Sequence, residues 1–274
     1  MIIAQISDTH IALDTADAEQ RIGDFERTIA DINALDPAPD LIVHTGDIVQ
    51  NGRADEYAKA AAILAQAHRP VYVLAGNKDD RVNLRTAFAA KGYLDAYSGF
   101  IDYAIEDYPV RLIAVDTLHT HSNKGDFCAE RAQRLIAMID AEPSKPIAVF
   151  SHHPPFEVPV GPERINFKTA EMMERLRQAV QHSARVVAII SGHVHRSTTG
   201  WVGSIPATVM PSVATTLRWG EYPAHLKACP VYHIHRFDPA SGFAVEARIV
   251  GCGLASAVWR AAPGSGTPRR VVAE

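Results

Sequence analysis

The chain has 274 residues, of which 47% are hydrophobic and 21% are charged, and its formal net charge is −4. This composition is typical of a globular protein with one large domain or two small ones. A mildly acidic balance argues against a general nucleic-acid binder, because a phosphate backbone requires a basic face. No apolar run reaches the ~20 residues of a membrane-spanning helix. Neither a nucleic-acid polymer nor a membrane is therefore expected as a partner.

The cysteines also restrict the class of protein. Cys128, Cys229 and Cys252 are far apart and form no CxxC pair. This pattern indicates neither a disulfide framework nor a thiolate zinc site. At the N-terminus, Asp8 interrupts the apolar stretch earlier than a signal peptide allows. We therefore expect a reduced, cytoplasmic protein.

The first two thirds of the chain alternate short apolar runs with amphipathic segments. The apolar runs, rich in Val and Ile, lie at 2–7, 41–46, 71–76, 111–117, 146–152 and 186–193. Helical periodicity is present between them, at 24–35, 54–67, 129–141 and 169–181. Because continuous apolar runs are typical of strands covered on both faces, the pattern predicts an α/β layered fold.

After residue 197 the pattern changes to strands and hairpins without intervening helices. We expect residues 1–250 to form one domain, with a metal-binding core at 1–197. The segment 198–250 is expected to be mostly β, to complete the second sheet and to form the rim of the site. The Gly/Pro-rich stretch 251–274 is expected to be a flexible tail. The extra strands offer an oligomer interface or a lid, and we expect a homo-oligomer.

Side chains of the metal-ligand type follow five of the six apolar runs. In chain order they are Asp8, His10, Asp47, Asn77, His152, His193 and His195. One such residue at a strand end is usually a cap. Ligand-type residues after five separate strands, however, indicate a site at the carboxyl edge of the sheet. Oxygen and imidazole donors without cysteine suit Zn²⁺, Mn²⁺ or Fe. Seven candidates exceed the needs of one ion, and paired ions that share a carboxylate are suited to displacement at phosphorus.

Five sequence blocks carry a resemblance to a known family. They are DTH (8–10), GDIVQNG (46–52), GNKDD (76–80), SHHPP (151–155) and GHVH (192–195). In order and spacing they resemble the blocks of the calcineurin-like metallophosphoesterases. The opening ISDTH and the HHPP block are most similar to bacterial class III phosphodiesterases, which include cyclic-nucleotide and glycerophosphodiester hydrolases. The resemblance implies a four-layer α/β/β/α sandwich of two mixed sheets flanked by helices.

The resemblance further implies a small phosphodiester as substrate and two metal ions (Fe, Mn, Zn or Co) as cofactors. The first ion would be held by Asp8, His10, His195 and the bridging Asp47, and the second by Asp47, Asn77, His152 and His193. A hydroxide on or between the ions would attack phosphorus in line with the leaving alcohol. The catalytic candidates are Lys78 and Asp47, and the candidates for substrate contact are Asn77, Lys78, His195 and His225.

Lys78 departs from the family pattern, in which a histidine follows the metal-binding asparagine and contacts the scissile phosphate. A lysine keeps the positive charge, but it cannot place a ring nitrogen at the same spot and is a weaker proton donor at neutral pH. Either Lys78 performs an electrostatic version of the histidine's task, or it is a lesion that leaves a metal-binding scaffold with impaired turnover. A phosphomonoesterase built on the same core is a further alternative.

Other polar residues carry weaker expectations. We expect Asn51, His119 and His121 either to lie in loops or to contact the substrate. His153 points away from His152 if the strand pattern persists, and the alternative is that it supports the site or contacts the substrate. Those assigned structural roles are Asp79 and Asp80, as a helix N-cap and first-turn charge, and His233 and His235, on one face of a strand.

Overall fold

The computed structural model describes residues 1–94, 99–158, 165–251, 257–260 and 269–272. Two mixed β-sheets pack face to face, with helices on both outer surfaces. This confirms the α/β/β/α sandwich that the motif resemblance implied. Within the described ranges, no helix is long and apolar enough to cross a membrane.

The first sheet combines three parallel strands from the start of the chain with four antiparallel strands from its end. Its strands are β1 (Ile2–Ile6), β2 (Leu41–His44), β3 (Val71–Val73), β10 (Val231–Asp238), β11 (Gly242–Ile249), β12 (Ala257–Arg260) and β13 (Arg269–Val272). Their order across the sheet is β13-β12-β11-β10-β1-β2-β3. The helices in this part of the chain are α1 (Ala18–Asn33), α2 (Ala54–Leu64) and α3 (Arg81–Phe88).

The second sheet has four parallel strands with an antiparallel strand at each edge. Its strands are β4 (Tyr103–Ile105), β5 (Arg111–Val115), β6 (Ile147–Ser151), β7 (Val186–Ser191), β8 (Thr198–Val202) and β9 (Ile205–Val209). Their order is β4-β5-β6-β7-β9-β8. The helices α4 (Ala129–Asp140) and α5 (Ala170–Val180) pack against each other and cover this sheet.

The strands at the centre of the sandwich are apolar on both faces because each face contacts a different layer. On β6, Ala148 and Phe150 belong to the core between the sheets. The alternate residues Ile147 and Val149 pack with Leu135 in the core beneath α4 and α5. Side chains of a strand alternate between faces, so a strand buried on both sides gives a continuous apolar run in the sequence.

The segment after residue 197 differs from the sequence-based expectation. β8 and β9 complete the second sheet, but β10 and β11 join the first sheet, where β10 pairs antiparallel with β1. This pairing covers the edge of β1 that would otherwise be open. The strands β12 and β13 lie within 251–274, the stretch expected to be a flexible tail.

The state of the cysteines also differs from the expectation. Cys229 takes part in a disulfide bond, whereas Cys128 carries a free thiol. The expectation of a chain without disulfides was therefore wrong for Cys229.

Candidate metal centre

The side chains that the sequence singled out meet because parallel strands from both sheets end at one edge of the sandwich. The first sheet delivers Asp8 and His10 after β1, Asp47 after β2 and Asn77 after β3, and the second delivers His152 after β6 and His193 and His195 after β7. Backbone hydrogen bonds join the loops, among them one from the Asp8 amide to the Gly46 carbonyl and one from the His10 amide to the Asp47 carbonyl.

The first group of ligand-type atoms comprises side chains of Asp8, His10, Asp47 and His195, all within 4.8 Å of one another. Nε2 of His195 lies 3.2 Å from Oδ1 of Asp8, and Nε2 of His10 lies 3.5 Å from Oδ2 of Asp47. Oδ1 of Asp8 is buried and has no hydrogen-bond donor among the described residues. A buried carboxylate oxygen without a donor is costly unless a cation satisfies it.

Two histidines of this group direct lone pairs at each other. Nδ1 of His10 is 3.1 Å from Oε1 of Gln50, an oxygen that also accepts from Arg21, so Nδ1 carries the proton. Nδ1 of His195 likewise donates to the carbonyl of Leu217. In neutral rings, both Nε2 atoms are then acceptors, and they lie 3.1 Å apart. This arrangement is favourable when a cation lies against both nitrogens.

The second group gathers around Asn77. Its Oδ1 is 2.9 Å from Nδ1 of His193 and 3.2 Å from Nε2 of His152. Nδ1 of His152 lies 2.8 Å from the carbonyl of Thr45, to which it donates, so Nε2 presents a lone pair toward Asn77 when the ring is neutral. The carboxamide oxygen of Asn77 and two imidazole nitrogens therefore converge on one point in this group as well.

Asp47 stands between the two groups. Its Oδ2 faces His10, and its Oδ1 is 3.5 Å from Nε2 of His152 in the second group. The Lys78 amide donates to Oδ1 at 2.7 Å, which fixes the plane of the carboxylate. The two oxygens of Asp47 are thus directed at separate sets of imidazoles.

The charges of the site favour cations. Burial acts to raise the pKa of Asp47, but His152 outweighs it and lowers the pKa to about 2. His195 and His10 likewise hold the pKa of Asp8 well below its usual value, against the effect of burial. For His152 the balance is reversed, because Asp47 outweighs burial and raises the pKa to about 9. Both carboxylates therefore stay ionised at neutral pH, and a bound metal would displace the proton of His152.

The backbone at the site is held in an unusual conformation. Five of the seven predicted ligands have a positive φ, namely Asp8 (55°), His10 (44°), Asp47 (51°), His193 (73°) and His195 (56°). For residues other than glycine this conformation costs on the order of 1–3 kcal/mol each, and such strain clusters at functional sites. The surrounding fold therefore holds these side chains in place at a cost to stability.

Two glycines of the sequence blocks are required by close packing of the ligand loops. A Cβ on Gly76 would collide with the backbone nitrogen and Oδ1 of Asp47, and a Cβ on Gly192 would collide with Oγ of Ser7. The glycine before Asn77 and the glycine before His193 therefore let neighbouring loops approach closely enough for the groups to form.

These observations fit a metal centre. A cation in this small volume would satisfy the Asp8 oxygen that has no hydrogen-bond donor, and it would lie against the facing nitrogen lone pairs. It would also offset the negative charge of the ionised carboxylates. The donor set of carboxylate, amide and imidazole suits Zn²⁺, Mn²⁺ or Fe rather than a metal that prefers thiolate.

The predicted substrate-contact residues are placed differently. Lys78 is half-buried beside Asn77, and its ammonium donates to Oδ1 of Asn123 at 3.1 Å. His225 is exposed on the turn Ala224–Leu226, and its side chain makes no hydrogen bond to another described residue. Lys78 is therefore at the site, whereas no recorded contact places His225 there.

His153 is buried behind the second group, and both of its ring nitrogens are occupied. Nδ1 is 2.8 Å from Oγ1 of Thr117, and Nε2 is 3.1 Å from the carbonyl of Asn123, to which it donates. Its ring centroid lies 4.3 Å from that of His193. Burial lowers the pKa of His153 well below its usual value, so a neutral ring packs against His193, a candidate metal ligand.

The adjacent carboxylates Asp79 and Asp80 have separate roles. Asp80, expected as a first-turn charge, is the N-cap of α3 and accepts from the amides of Val82 and Asn83. Asp79 is buried instead and accepts from the amides of Ile48 and Gly76 and from the hydroxyl of Tyr57. Burial, reinforced by the neighbouring Asp47, raises the pKa of Asp79 to about 7. Asp79 therefore ties the loop after β2 to the loop after β3, which the sequence did not reveal.

The other polar candidates have structural partners. The amide and side chain of Asn51 both donate to Glu56, which holds the loop after β2. His119 is half-buried and 3.1 Å from the ammonium of Lys168, and His121 is exposed. The buried rings of His233 and His235 lie with centroids 6.0 Å apart, as expected for one strand face.

The sequence-based reasoning missed Gln50, Arg21 and Asn123 as partners of site residues. Gln50 lies inside the quoted GDIVQNG block, so its place in a ligand loop was the only available signal. Arg21 and Asn123 lie in a helix and a loop outside every block, and only the fold brings them to the site.

Comparison with known proteins supports the resemblance seen in the sequence blocks. The family model described as calcineurin-like phosphoesterase matches residues 1–197. A probable glycerophosphodiester phosphodiesterase GpdQ of Arcobacter nitrofigilis is 32% identical over 260 residues, which cover 92% of this chain and 94% of that protein. A probable cyclic nucleotide phosphodiesterase of Rhodococcus erythropolis is 28% identical over 227 residues, with coverage of 78% and 71%. Among solved structures, a dimetal phosphatase from Danio rerio has the same fold, with a TM-score of 0.69, 14% identity and coverage of 91% and 95%.

Proposed function

The chain belongs to the calcineurin-like phosphoesterase family and is a metal-dependent phosphoric diester hydrolase, and we propose that its centre holds two ions and acts on a small phosphodiester. The observation that carries the two-ion proposal is Asp47, whose two oxygens face separate imidazole groups. The similarity to proteins named for glycerophosphodiesters and for cyclic nucleotides supports one of these two compounds as the substrate. Fe, Mn, Zn and Co all suit the donor set.

The residues of each group would hold one ion. Asp8, His10 and His195 would hold the first and Asn77, His152 and His193 the second, with Asp47 shared between them. When bound, paired ions activate a water molecule and neutralise the charge of the phosphoryl oxygens. The acceptors opposite Nδ1 of His10, His152 and His195 keep the proton on that nitrogen and so direct each Nε2 inward.

Lys78 would supply a positive charge for the substrate. Its ammonium lies at the solvent-facing side of the second group, beside Asn77. An ammonium there can donate to a non-bridging phosphate oxygen and stabilise charge that grows in the transition state. Asn77 and His195 are both partly exposed, and we propose that they also contact the substrate.

The test is hydrolysis of bis(p-nitrophenyl) phosphate by metal-reconstituted protein, measured together with metal content. We expect turnover with two ions per chain, abolished by chelation, and a loss of at least about 100-fold with both ions bound less tightly in Asp47→Asn. Full activity with one ion per chain would overturn the binuclear proposal. Two bound ions without hydrolysis would support a scaffold instead.

The substrate class is tested with the same protein and a panel of compounds. We expect hydrolysis of cyclic AMP or of a glycerophosphodiester at a higher kcat/KM than that of p-nitrophenyl phosphate, and no cleavage of single-stranded DNA. Preference for the monoester would favour the phosphomonoesterase alternative. If Lys78→His gains about 100-fold, which corresponds to about 2.7 kcal/mol of barrier, Lys78 is a lesion rather than a working residue.

We also propose a homo-oligomer in the cytoplasm. The strand β13 ends the first sheet within the described residues, and an edge strand is a template for pairing with a second copy. Light scattering of the full chain and of a chain that ends at Gly251 tests this. We expect the full chain to have the mass of an oligomer, and a monomeric mass for both chains would contradict the proposal. A cytoplasmic location requires Cys229 to be reduced in the cell, because cytosolic proteins rarely keep a disulfide. Thiol trapping at the moment of cell lysis tests this, and an oxidised Cys229 in the cell would contradict the proposed location.

A further inference from the structure

The loop between β5 and α4 borders the second group, and its residues 117–125 are called the rim loop below. Buried His153 anchors it at two points, through Oγ1 of Thr117 and the carbonyl of Asn123. Gly125 pairs with the backbone of Asn166 at 2.8 Å and packs so closely on His153 that a Cβ would collide with the ring. The rim loop is therefore held in a fixed position relative to the site, although its tip is exposed.

The tip of the rim loop contacts two residues of the strand-end loop after β3. Oδ1 of Asn123 accepts a hydrogen bond from the ammonium of Lys78 at 3.1 Å. The same oxygen lies 3.5 Å from Nδ2, the side-chain nitrogen of Asn77. One oxygen thus contacts both the ammonium and the carboxamide whose own oxygen faces His152 and His193. The ammonium is held beside the second group on the side open to solvent.

We propose that Asn123 is a positioning residue for Lys78, which it holds ready for a phosphoryl oxygen of the substrate. The proposal rests on the phosphodiesterase function proposed above. A lysine side chain has many rotamers, and ordering it at the moment of binding costs conformational entropy. An acceptor that holds the ammonium in advance removes part of this cost.

The chemical nature of Asn123 matters as much as its place. A carboxamide oxygen accepts a hydrogen bond without cancelling the charge of the ammonium, whereas a carboxylate would pair with it and compete with phosphate. Within the described part of the chain, no carboxylate forms an ion pair with Lys78. The positive charge of Lys78 therefore stays available to an anionic ligand.

A double-mutant cycle tests the proposal on metal-loaded full-length protein. The four proteins are native, Lys78→Ala, Asn123→Ala and the double variant, and the readouts are calorimetric binding of inorganic phosphate and kcat/KM for bis(p-nitrophenyl) phosphate. We expect Asn123→Ala to weaken phosphate binding about five- to tenfold when Lys78 is present and less than twofold when it is absent. Equal losses in both backgrounds would overturn the proposal, because Asn123 would then act through Asn77 or the loop.

A charge variant separates positioning from a merely structural role. Asn123→Asp keeps an acceptor of the same size, so the rim loop should stay folded, as thermal melting would check. We expect phosphate binding to weaken at least as much as in Asn123→Ala, because the new carboxylate pairs with Lys78. Phosphate binding at the native level in Asn123→Asp would contradict the proposal.

The outcomes also separate this proposal from the function on which it rests. If the native protein hydrolyses diesters but phosphate binding shows no coupling between Asn123 and Lys78, the function stands and the positioning role falls. If the native protein is inert yet the coupling in phosphate binding is present, the positioning role stands and the function falls. Metal content measured on all variants identifies any loss that arises through Asn77.

Discussion

At the scale of single residues, the position of one proton on three of the four candidate ligand histidines suits them to hold the proposed ions. Nδ1 of His10, His152 and His195 faces an acceptor in each case, which leaves Nε2 free to bind an ion. Two of these acceptors are backbone carbonyls and cannot be removed by substitution. The third is the side chain of Gln50, which makes His10 the histidine whose tautomer can be tested.

We expect Gln50→Ala to lower metal affinity about 10- to 100-fold, because Nδ1 of His10 loses the acceptor that fixes its tautomer and ring orientation. Gln50→Glu is the matched control, since a carboxylate oxygen can still accept from His10 and from Arg21. Competition with a chelating dye measures both variants. Equal affinity in Gln50→Ala and native protein would show that the tautomer is set by other contacts.

The metal-ligand candidates could be found from the sequence because their types are distinctive and each follows a strand. Asp8 and Asn77, for example, come directly after apolar runs, and parallel strands end at one edge. Gln50 and Asn123 are ordinary polar residues whose roles depend on distances across the fold. His225 carried a ligand-type side chain without a strand to place it, and the structure leaves it on an exposed turn.

At the scale of elements, the site depends on how two neighbouring loops are joined. Asp79 accepts from the amides of Ile48, in the loop that carries Asp47, and Gly76, in the loop that carries Asn77. The hydroxyl of Tyr57 donates to the same carboxylate at 2.8 Å and so ties α2 to both loops. One buried carboxylate thereby sets the spacing between ligands of the two groups.

We expect Asp79→Ala to lower the free energy of unfolding by about 3 kcal/mol, because it leaves buried amide donors without an acceptor. Metal affinity should fall as well, since the loops are no longer joined. Asp80→Ala is the matched control one residue away, and the loss of its helix cap should cost about 1 kcal/mol without a change in metal affinity. Urea denaturation and metal titration measure both. Equal effects on metal affinity in the two variants would contradict the joining role of Asp79.

The helices and strands could be predicted from the sequence where the hydrophobic pattern within the segment itself determines the structure. The apolar runs and amphipathic segments gave the central strands and helices, because burial on both faces leaves a visible signature. The sheet to which a late strand belongs leaves no such signature. β10 could be recognised as a strand, but its pairing with β1 depends on contacts across more than half of the chain.

At the scale of the whole molecule, two histidines of β10 are buried without a charge partner. Burial lowers the pKa of His233 to about 4, and it holds the pKa of His235 well below its usual value. His235 donates to Oε1 of Gln5, whereas Nδ1 of His233 has no partner among the described residues. These rings are neutral in the folded protein, which links its stability to pH.

The direction of that link follows from where protons bind. The unfolded chain protonates its histidines below about pH 6.5, while the buried rings stay neutral until the pH reaches their lower folded values. Stability is therefore fully present above pH 6.5 and is lost as the pH falls toward 4. Each such histidine should remove about 1.4 kcal/mol per pH unit once the pH is well below 6.5.

We expect the metal-free protein to lose urea resistance steeply between pH 6.5 and 4.5, and the double variant His233→Gln/His235→Gln to lose it less steeply. The double variant no longer carries two of the groups that only the unfolded chain protonates. Ile234→Val, between them on the same buried strand, is the matched control: it should cost about 1 kcal/mol at every pH and leave the slope unchanged. Urea denaturation in the presence of a chelator at successive pH values measures all three proteins. An unchanged slope in the double variant would mean that groups outside this pair govern the acid sensitivity of the fold.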